Sequence, residues 1–315
     1  MSQNKKNTLI ESPIVLGGNV FGWTLDEKES FKILDAYYDL GMRTIDTANI
    51  YSLWIPGNDG SESEKIIGKW MKERNNREEI QLITKVGGTR ITEKPDLAPQ
   101  TIESELNLSL KHLQTDYIDL YFTHYDDEST SSGTILETYA KFKEEGKIKA
   151  IGASNISKER LEESLQFSKD QGILRYEVLQ PEYNLYDREG FESIYRPIVE
   201  KENLEVIPYF SLASGFLSGK YQSPEDFKKY PRGGGVQQRY DNPRGSKVLQ
   251  ALKEVAEENQ VGMAAVALAW LLKHPFISGP IASATKISHV EDFAKARDLM
   301  LSEADFSKLS EASSY

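Results

Sequence analysis

Four side chains in this sequence are of types that could together move a proton: Asp46, Tyr51, Lys85 and His124. Asp46 closes the run Thr44-Ile45-Asp46, Lys85 closes Ile80 to Lys85, and His124 closes Tyr117 to His124. Each run is short and rich in β-branched or aromatic residues, so each reads as a strand. Tyr51 lies in the loop that follows Asp46. A free phenol has a pKa near ~10 and donates poorly at neutral pH. A nearby ammonium stabilises the phenolate and lowers that pKa. Lys85 can supply the ammonium, Asp46 can hold it charged and in place, and His124 can hydrogen-bond a substrate oxygen. Such a set is an acid poised to protonate an oxyanion, as carbonyl reduction requires. A lone strand-end charge is usually a surface ion pair. Charges on three consecutive strand ends, with a tyrosine beside them, call for a shared purpose.

That purpose needs strands that end at one place. Further strand-like runs are Ile14-Val15-Leu16, Ile148 to Ala153, Glu177 to Gln180, Glu205 to Tyr209 and Ile277 to Ala282, which makes eight. Helical patterns fall between them, at 27–40, 61–71, 99–113, 133–145, 157–169, 191–201, 246–259 and 263–274, with a last pair at 289–300 and 302–310. Ser61 followed by Glu64 predicts a capping box at the start of the second helix. Alternating strands and helices imply a parallel sheet, and eight strands suit a closed (β/α)8 TIM barrel in the α/β class. In such a barrel the strand C-termini face one mouth, and neighbouring strands lie ~5 Å apart. An open doubly wound sheet is the rival, but no G-x-G-x-x-G follows the first strand. The segment 221–243, rich in Pro, Gly and charge, is long for a loop and predicts a lid or binding loop. No composition shift marks a boundary, so residues 1–315 read as a single barrel domain with 1–7 as a flexible tail.

Composition narrows the classes. There are 38 Lys+Arg against 49 Asp+Glu, a formal net charge of −11, which repels nucleic acid and anionic membrane. The chain has no cysteine, which excludes disulfides, thiolate metal sites and a cysteine nucleophile. The four histidines are scattered and form no H-E-x-x-H pair, so no metal is expected. Met1 to Asn7 is polar, and the longest apolar stretch, Met263 to Leu272, is too short to span a bilayer. A cytoplasmic protein acting on a small molecule is the expectation, with the oligomeric state left open.

Here a resemblance becomes specific. Gly41-Met42-Arg43-Thr44-Ile45-Asp46-Thr47-Ala48 leading to Tyr51 resembles the aldo-keto reductase signature. Ile83-Thr84-Lys85-Val86-Gly87, and Asp116-Tyr117-Ile118-Asp119-Leu120-Tyr121 ending at His124, do so too. Later segments follow in the family's order: Gly146-Lys147-Ile148 through Ser154-Asn155, Gln180-Pro181-Glu182-Tyr183-Asn184, and Tyr209 through Lys220. The resemblance implies an NADPH-dependent reduction of an aldehyde or ketone. It makes Asp46, Tyr51, Lys85 and His124 the catalytic tetrad. It implies that Ser154, Asn155 and Gln180 hold the nicotinamide carboxamide and that Tyr209 stacks on the ring. It places Ser211, Leu212, Gly215, Leu217 and Lys220 along the pyrophosphate, and Ser283, Thr285 and Lys286 around the adenosine 2′-phosphate. A cation is what that extra phosphate needs.

The sequence departs from the family in two places. Tyr125-Asp126-Asp127-Glu128 after His124 predicts an acidic substrate rim, and Phe293 stands where many members carry Asn. Trp23, Trp54 and Tyr125 fall in mouth loops and are candidates for the substrate pocket. His112 reads as a helix-surface residue, His274 as a cation ending a helix, His289 as a possible cofactor contact, and Glu62, Glu64 and Glu73 as solvated helix face. Gly215 to Lys220 is too short for a Walker loop. Two other functions fit a barrel of this kind: a nicotinamide-bound redox-sensing regulatory subunit with slow turnover, and a metal-dependent aldolase or isomerase.

Overall fold

The computed structural model describes residues 8–88 and 94–315. The expected tail at 1–7 lies outside the described residues. Eight strands appear among the described residues: β1 (Val15–Gly17), β2 (Thr44–Asp46), β3 (Gln81–Val86), β4 (Ile118–Thr123), β5 (Ile148–Ser154), β6 (Tyr176–Gln180), β7 (Glu205–Val206) and β8 (Ile281–Ala282). All pairings are parallel, in the order β7-β6-β5-β4-β3-β2-β1-β8. The two edges meet through the chain just before β8. Val206 bridges Ile277, Ser278 N donates to Val206 O at 3.0 Å, and Ile281 N donates to Pro208 O at 2.9 Å. The sheet is thus curled into the (β/α)8 barrel that eight strands predicted.

Between the strands run α1 (Glu27–Asp39), α2 (Glu62–Arg74), α3 (Pro99–Leu113), α4 (Ser132–Glu144), α5 (Lys158–Gln171) and α6 (Arg196–Glu202). Then come α7 (Asp226–Lys229), α8 (Gly233–Tyr240), α9 (Pro243–Glu258), α10 (Met263–Leu272), α11 (Ile287–Asp298) and α12 (Glu303–Ala312). Two apolar layers follow from strand alternation. Val15, Ile83, Leu120, Phe122, Ala150, Val178 and Ile207 fill the barrel interior. Residues such as Ile45, Leu82, Tyr121, Ile151 and Leu179 point outward and pack beneath the helices, with Trp70 and Trp270.

Several local expectations are corrected. The capping box fails: Gly60 and Ser61 both have positive φ, 78° and 71°, so Ser61 cannot fold back onto the helix. Its hydroxyl donates to Asn49 O instead, and Glu64 is fully buried rather than solvated. Glu64 accepts from Thr84 Oγ1 at 2.6 Å and faces His112 Nδ1 at 3.6 Å, so His112 is turned inward too. The segment 221–243 holds α7 and α8 rather than irregular loop, and Gly233-Gly234-Gly235 forms the first turn of α8. A Cβ at Gly233 would lie 1.8 Å from Phe227 O, so the glycine lets the two helices touch. The helix expected from Phe191 opens with a π turn, Phe191–Tyr195, just before Pro197, which has no N–H for a regular ladder.

Candidate active site

The barrel pattern itself brings the four side chains together. Residues two apart on a strand share a face. Lys85 lies two beyond the inward Ile83, His124 two beyond Phe122, Ser154 four beyond Ala150, and Gln180 two beyond Val178. Asp46 is the register partner of Ile83. All these side chains therefore point into the barrel at its C-terminal mouth. Tyr51 sits in the turn after β2, its amide donating to Ala48 O at 3.2 Å.

Lys85 is the hub, and it is fully buried. Its Nζ donates to Asp46 Oδ2 at 2.8 Å, Thr47 O at 2.6 Å and Tyr51 Oη at 2.9 Å. An ammonium has three donors, and all three are used. Burial pushes the Lys85 pKa down, and the Asp46 carboxylate opposes that shift. Asp46 Oδ1 accepts from Gln180 Nε2 at 3.0 Å, a contact with no sequence signal because it spans β2 to β6.

Tyr51 departs from its expected electrostatics. Its pKa is raised well above the usual phenol value, first by burial and then by the Asp46 carboxylate. The phenol is held as a firm proton carrier in this state. Lys85 directs an N–H at the phenol oxygen, which is the contact that would stabilise a phenolate once the proton leaves. His124 is held neutral, chiefly by burial and then by the Lys85 charge. Its Nδ1 is buried with no partner among the described residues, and its ring lies 6.0 Å from that of Tyr51.

The side of the mouth next to Tyr51 is aromatic. Trp54 packs edge-on to Tyr51 at 6.4 Å and to Trp23 at 5.4 Å, while Tyr125 stacks on His124 at 4.5 Å. Trp54 is 49% exposed and Tyr125 41%, and Trp23 is half-buried, so none of the three is a core residue. Of the three acids expected at the rim, two are taken up by protein partners, and Glu128 is exposed. Asp126 is paired with Arg160 at 2.9 Å. Asp127 accepts from Leu97 N, Ser129 and Thr130, which bring its pKa down to about 2.

The other expected contacts flank this centre. Asn155 has φ 45° and bridges His124 O and Tyr209 Oη, at 2.8 and 3.0 Å. Ser154 is buried beside it, with its Oγ accepting from Asn155 Nδ2. Asn155, Gln180 and Tyr209 also border a cavity of about 360 Å³ reaching Tyr186, Arg239 and Tyr315. After β7 the backbone takes positive φ at Phe210, Ala213, Ser214 and Gly215. Ser211 and Leu217 are buried there, Ser211 donating to Pro208 O, whereas Leu212 and Gly215 are partly open. Gly215 has φ 90°, which favours glycine, and Lys220 folds over this turn with its Nζ 2.6 Å from where a Cβ on Gly215 would stand. Burial and the charges of Arg232 and Lys286 lower the Lys220 pKa, so three cations gather here, none ion-paired among the described residues. Sequence reasoning missed Arg232. Ser283 donates to Asn19, Thr285 N donates to His289 Nδ1 at 3.3 Å, and Lys286 is exposed. Phe293 is core, so it offers no polar contact.

A protein-family model described as the aldo/keto reductase family matches residues 13–314. The chain belongs to that family. Its aldo-keto reductase relatives cover it nearly end to end. Norsolorinic acid reductase of Aspergillus flavus is 29% identical over 96% of this chain and 77% of that protein. The aldo-keto reductase YhdN of Bacillus subtilis is 30% identical over 92% and 85%. Aryl-alcohol dehydrogenase [NADP(+)] of Phanerodontia chrysosporium is 28% identical over 92% and 80%. Aldo-keto reductases are oxidoreductases that use nicotinamide cofactors on small-molecule carbonyl compounds. Among the described residues no helix is long and apolar enough to cross a membrane, and no cluster of metal-ligand side chains occurs.

Proposed function

We propose that this aldo-keto reductase is a single-domain, NADPH-dependent enzyme that reduces an aldehyde or ketone to the alcohol, with Tyr51 as the general acid. The observation that carries the reading is the Lys85 ammonium, buried and shared between Asp46, Thr47 O and the Tyr51 phenol oxygen. When bound, NADPH supplies the hydride that goes to the carbonyl carbon. Tyr51 gives its proton to the carbonyl oxygen. As it does so, the nearby Lys85 cation offsets the phenolate charge, and Asp46 keeps Lys85 aimed. Neutral His124 donates a hydrogen bond to the same oxygen and fixes its direction. Trp23, Trp54 and Tyr125 form an apolar wall that keeps water from the reacting carbonyl.

The residues present fit the cofactor. The left-handed turn at 213–215 with Lys220 folded over it leaves unpaired positive charge where phosphates need it. Lys286, whose charge reaches Lys220 and His289, extends that charge toward Ser283 and Thr285 and would take the 2′-phosphate. Ser154, Asn155 and Gln180 would hold the carboxamide, Tyr209 the ring, and Ser211, Leu212, Gly215 and Leu217 the pyrophosphate run. A cysteine-free chain suits the reducing cytoplasm. The test is NADPH oxidation over a panel of aldehydes, ketones and sugars, with titration of NADPH and NADH. A charge-assisted contact is worth roughly 1.5–3 kcal/mol, so NADPH should bind about tenfold or more tightly than NADH. Lys286→Ala should erase that preference; equal affinities in the parent protein would contradict the assignment.

A further inference from the structure

Glu64 is a fully buried carboxylate that the reaction described above does not use. It lies in the first turn of α2, on the outer side of β3. Strand alternation sends Lys85 into the barrel and its neighbour Thr84 out toward α2. Thr84 Oγ1 donates to Glu64 Oε1 at 2.6 Å. Beside it, Ser63 Oγ accepts from Thr47 Oγ1 at 2.8 Å, and Thr47 O is one of the three acceptors of Lys85 Nζ. The first turn of α2 therefore grips the chain at two points that hold the lysine. A buried carboxylate is costly unless charge and hydrogen bonds compensate it. On its own side of β3 that compensation is incomplete. Glu64 Oε2 has no hydrogen-bond partner among the described residues. His112 Nδ1 of α3 stands 3.6 Å away without forming a hydrogen bond. Tyr121 of β4 brings a buried hydroxyl that is also without a partner, and Glu105 of α3 brings a second negative charge. No lysine or arginine among the described residues is ion-paired with Glu64. Its charge is felt instead at Lys85, where it joins Asp46 in opposing the downward push of burial. Inside the barrel Lys85 faces Asp46, Tyr51 and the neutral His124.

Resting on the reductase reading above, we infer that Glu64 is a positioning residue for the reaction: a second counter-charge, seated through Thr84 behind β3, that keeps Lys85 an ammonium aimed at Tyr51. Asp46 meets the lysine from within the barrel and Glu64 from behind the strand. Removing a negative charge near the Lys85–Tyr51 pair lets the pair lose a proton more easily, so its basic limb moves to lower pH. That direction is opposite to the one a lost Lys85 cation would give.

The test compares the parent protein with Glu64→Gln, Glu64→Asp and His112→Arg. One readout is the pH dependence of kcat for an accepted aldehyde at saturating NADPH. A second, independent of activity, is the titration of Lys85 in protein labelled with 13C at the lysine ε-carbon, its resonance assigned by absence from Lys85→Met. Glu64→Gln keeps the shape and the acceptor for Thr84 but removes the charge. Its basic limb and its Lys85 titration should both move to lower pH by roughly 0.5–1 unit. Glu64→Asp keeps the charge and should leave the limb near its parental position, even where Tm falls. His112→Arg sets a fixed cation against Glu64 and should move the limb as Glu64→Gln does, which decides the matter if Glu64→Gln does not fold. A lowered Tm with limb and Lys85 titration unmoved in Glu64→Gln or His112→Arg overturns the inference and leaves Glu64 to core packing. If the Lys85 titration moves as expected but the protein never oxidises NADPH, the hold of Glu64 on Lys85 stands and the reductase reading falls.

Discussion

The chemistry turns on one buried nitrogen. Lys85 Nζ joins Asp46, Thr47 O and Tyr51 within hydrogen-bond distance, and removing it leaves a buried carboxylate next to a phenol. In Lys85→Met the Tyr51 pKa, already raised by burial and Asp46, should rise further. Turnover should fall by roughly 10²–10⁴-fold, the scale for losing effective acid catalysis, and the basic limb of the pH–rate profile should move upward. A variant with parental rate and profile would show that Lys85 does not tune the tyrosine. The four side chains were legible in the sequence because each interrupts or follows a β-branched run with a group that has no structural reason to be there. Thr47 O, the Gln180–Asp46 bond and Arg232 were not. A backbone carbonyl carries no sequence signal, and the other two contacts join residues far apart in the chain. The expected lowering of the Tyr51 pKa fails for a related reason: spacing shows which charges are near but not how deeply they are buried.

The helices and strands hold that geometry by close backbone contact. α2 and α3 meet at Gly68, where a Cβ would lie 2.3 Å from His112 O. Alanine is better than glycine in a helix by about 1 kcal/mol. Overpacking against an unyielding backbone costs typically ~1–3 kcal/mol, so the clash should win. Gly68→Ala should therefore lower the stability measured by urea denaturation; a gain would mean that α2 and α3 are less tightly seated. The ends of three strand runs were readable because Asp46, Lys85 and His124 close them, and most helix bounds agree within a few residues. The failures share a cause, tertiary contact overriding local pattern. Gly233-Gly234-Gly235 opposes helix formation by propensity, yet packing on Phe227 makes it the start of α8. Glu64 has the spacing of a capping residue, yet Thr84 draws it into the core.

At the scale of the whole molecule, acid sensitivity and catalysis both depend on groups kept neutral inside the folded chain. His274 ends α10 not as a cation but packed against Trp270 and Phe276, and burial pushes its pKa down to about 4. The unfolded chain titrates near ~6.5, so it binds the proton first as pH falls. His274 therefore costs stability progressively from about pH 6.5 down to about 4. His274→Phe should reduce the drop in Tm between pH 7 and pH 4.5; an unchanged drop would place acid sensitivity elsewhere. The barrel was legible from eight alternating runs, but its closure was less so, because β7 and β8 are two residues each and the seam is completed by residues 276–281. What the closed barrel accomplishes is tested most directly by single-turnover reduction of an accepted aldehyde in the parent protein and in Tyr51→Phe, with NADPH binding measured alongside. The phenylalanine keeps the ring and deletes the proton donor. The account predicts a rate lower by roughly 10²–10⁴-fold with NADPH affinity little changed. Reduction by Tyr51→Phe as fast as by the parent would contradict it, because Tyr51 would then not be the acid.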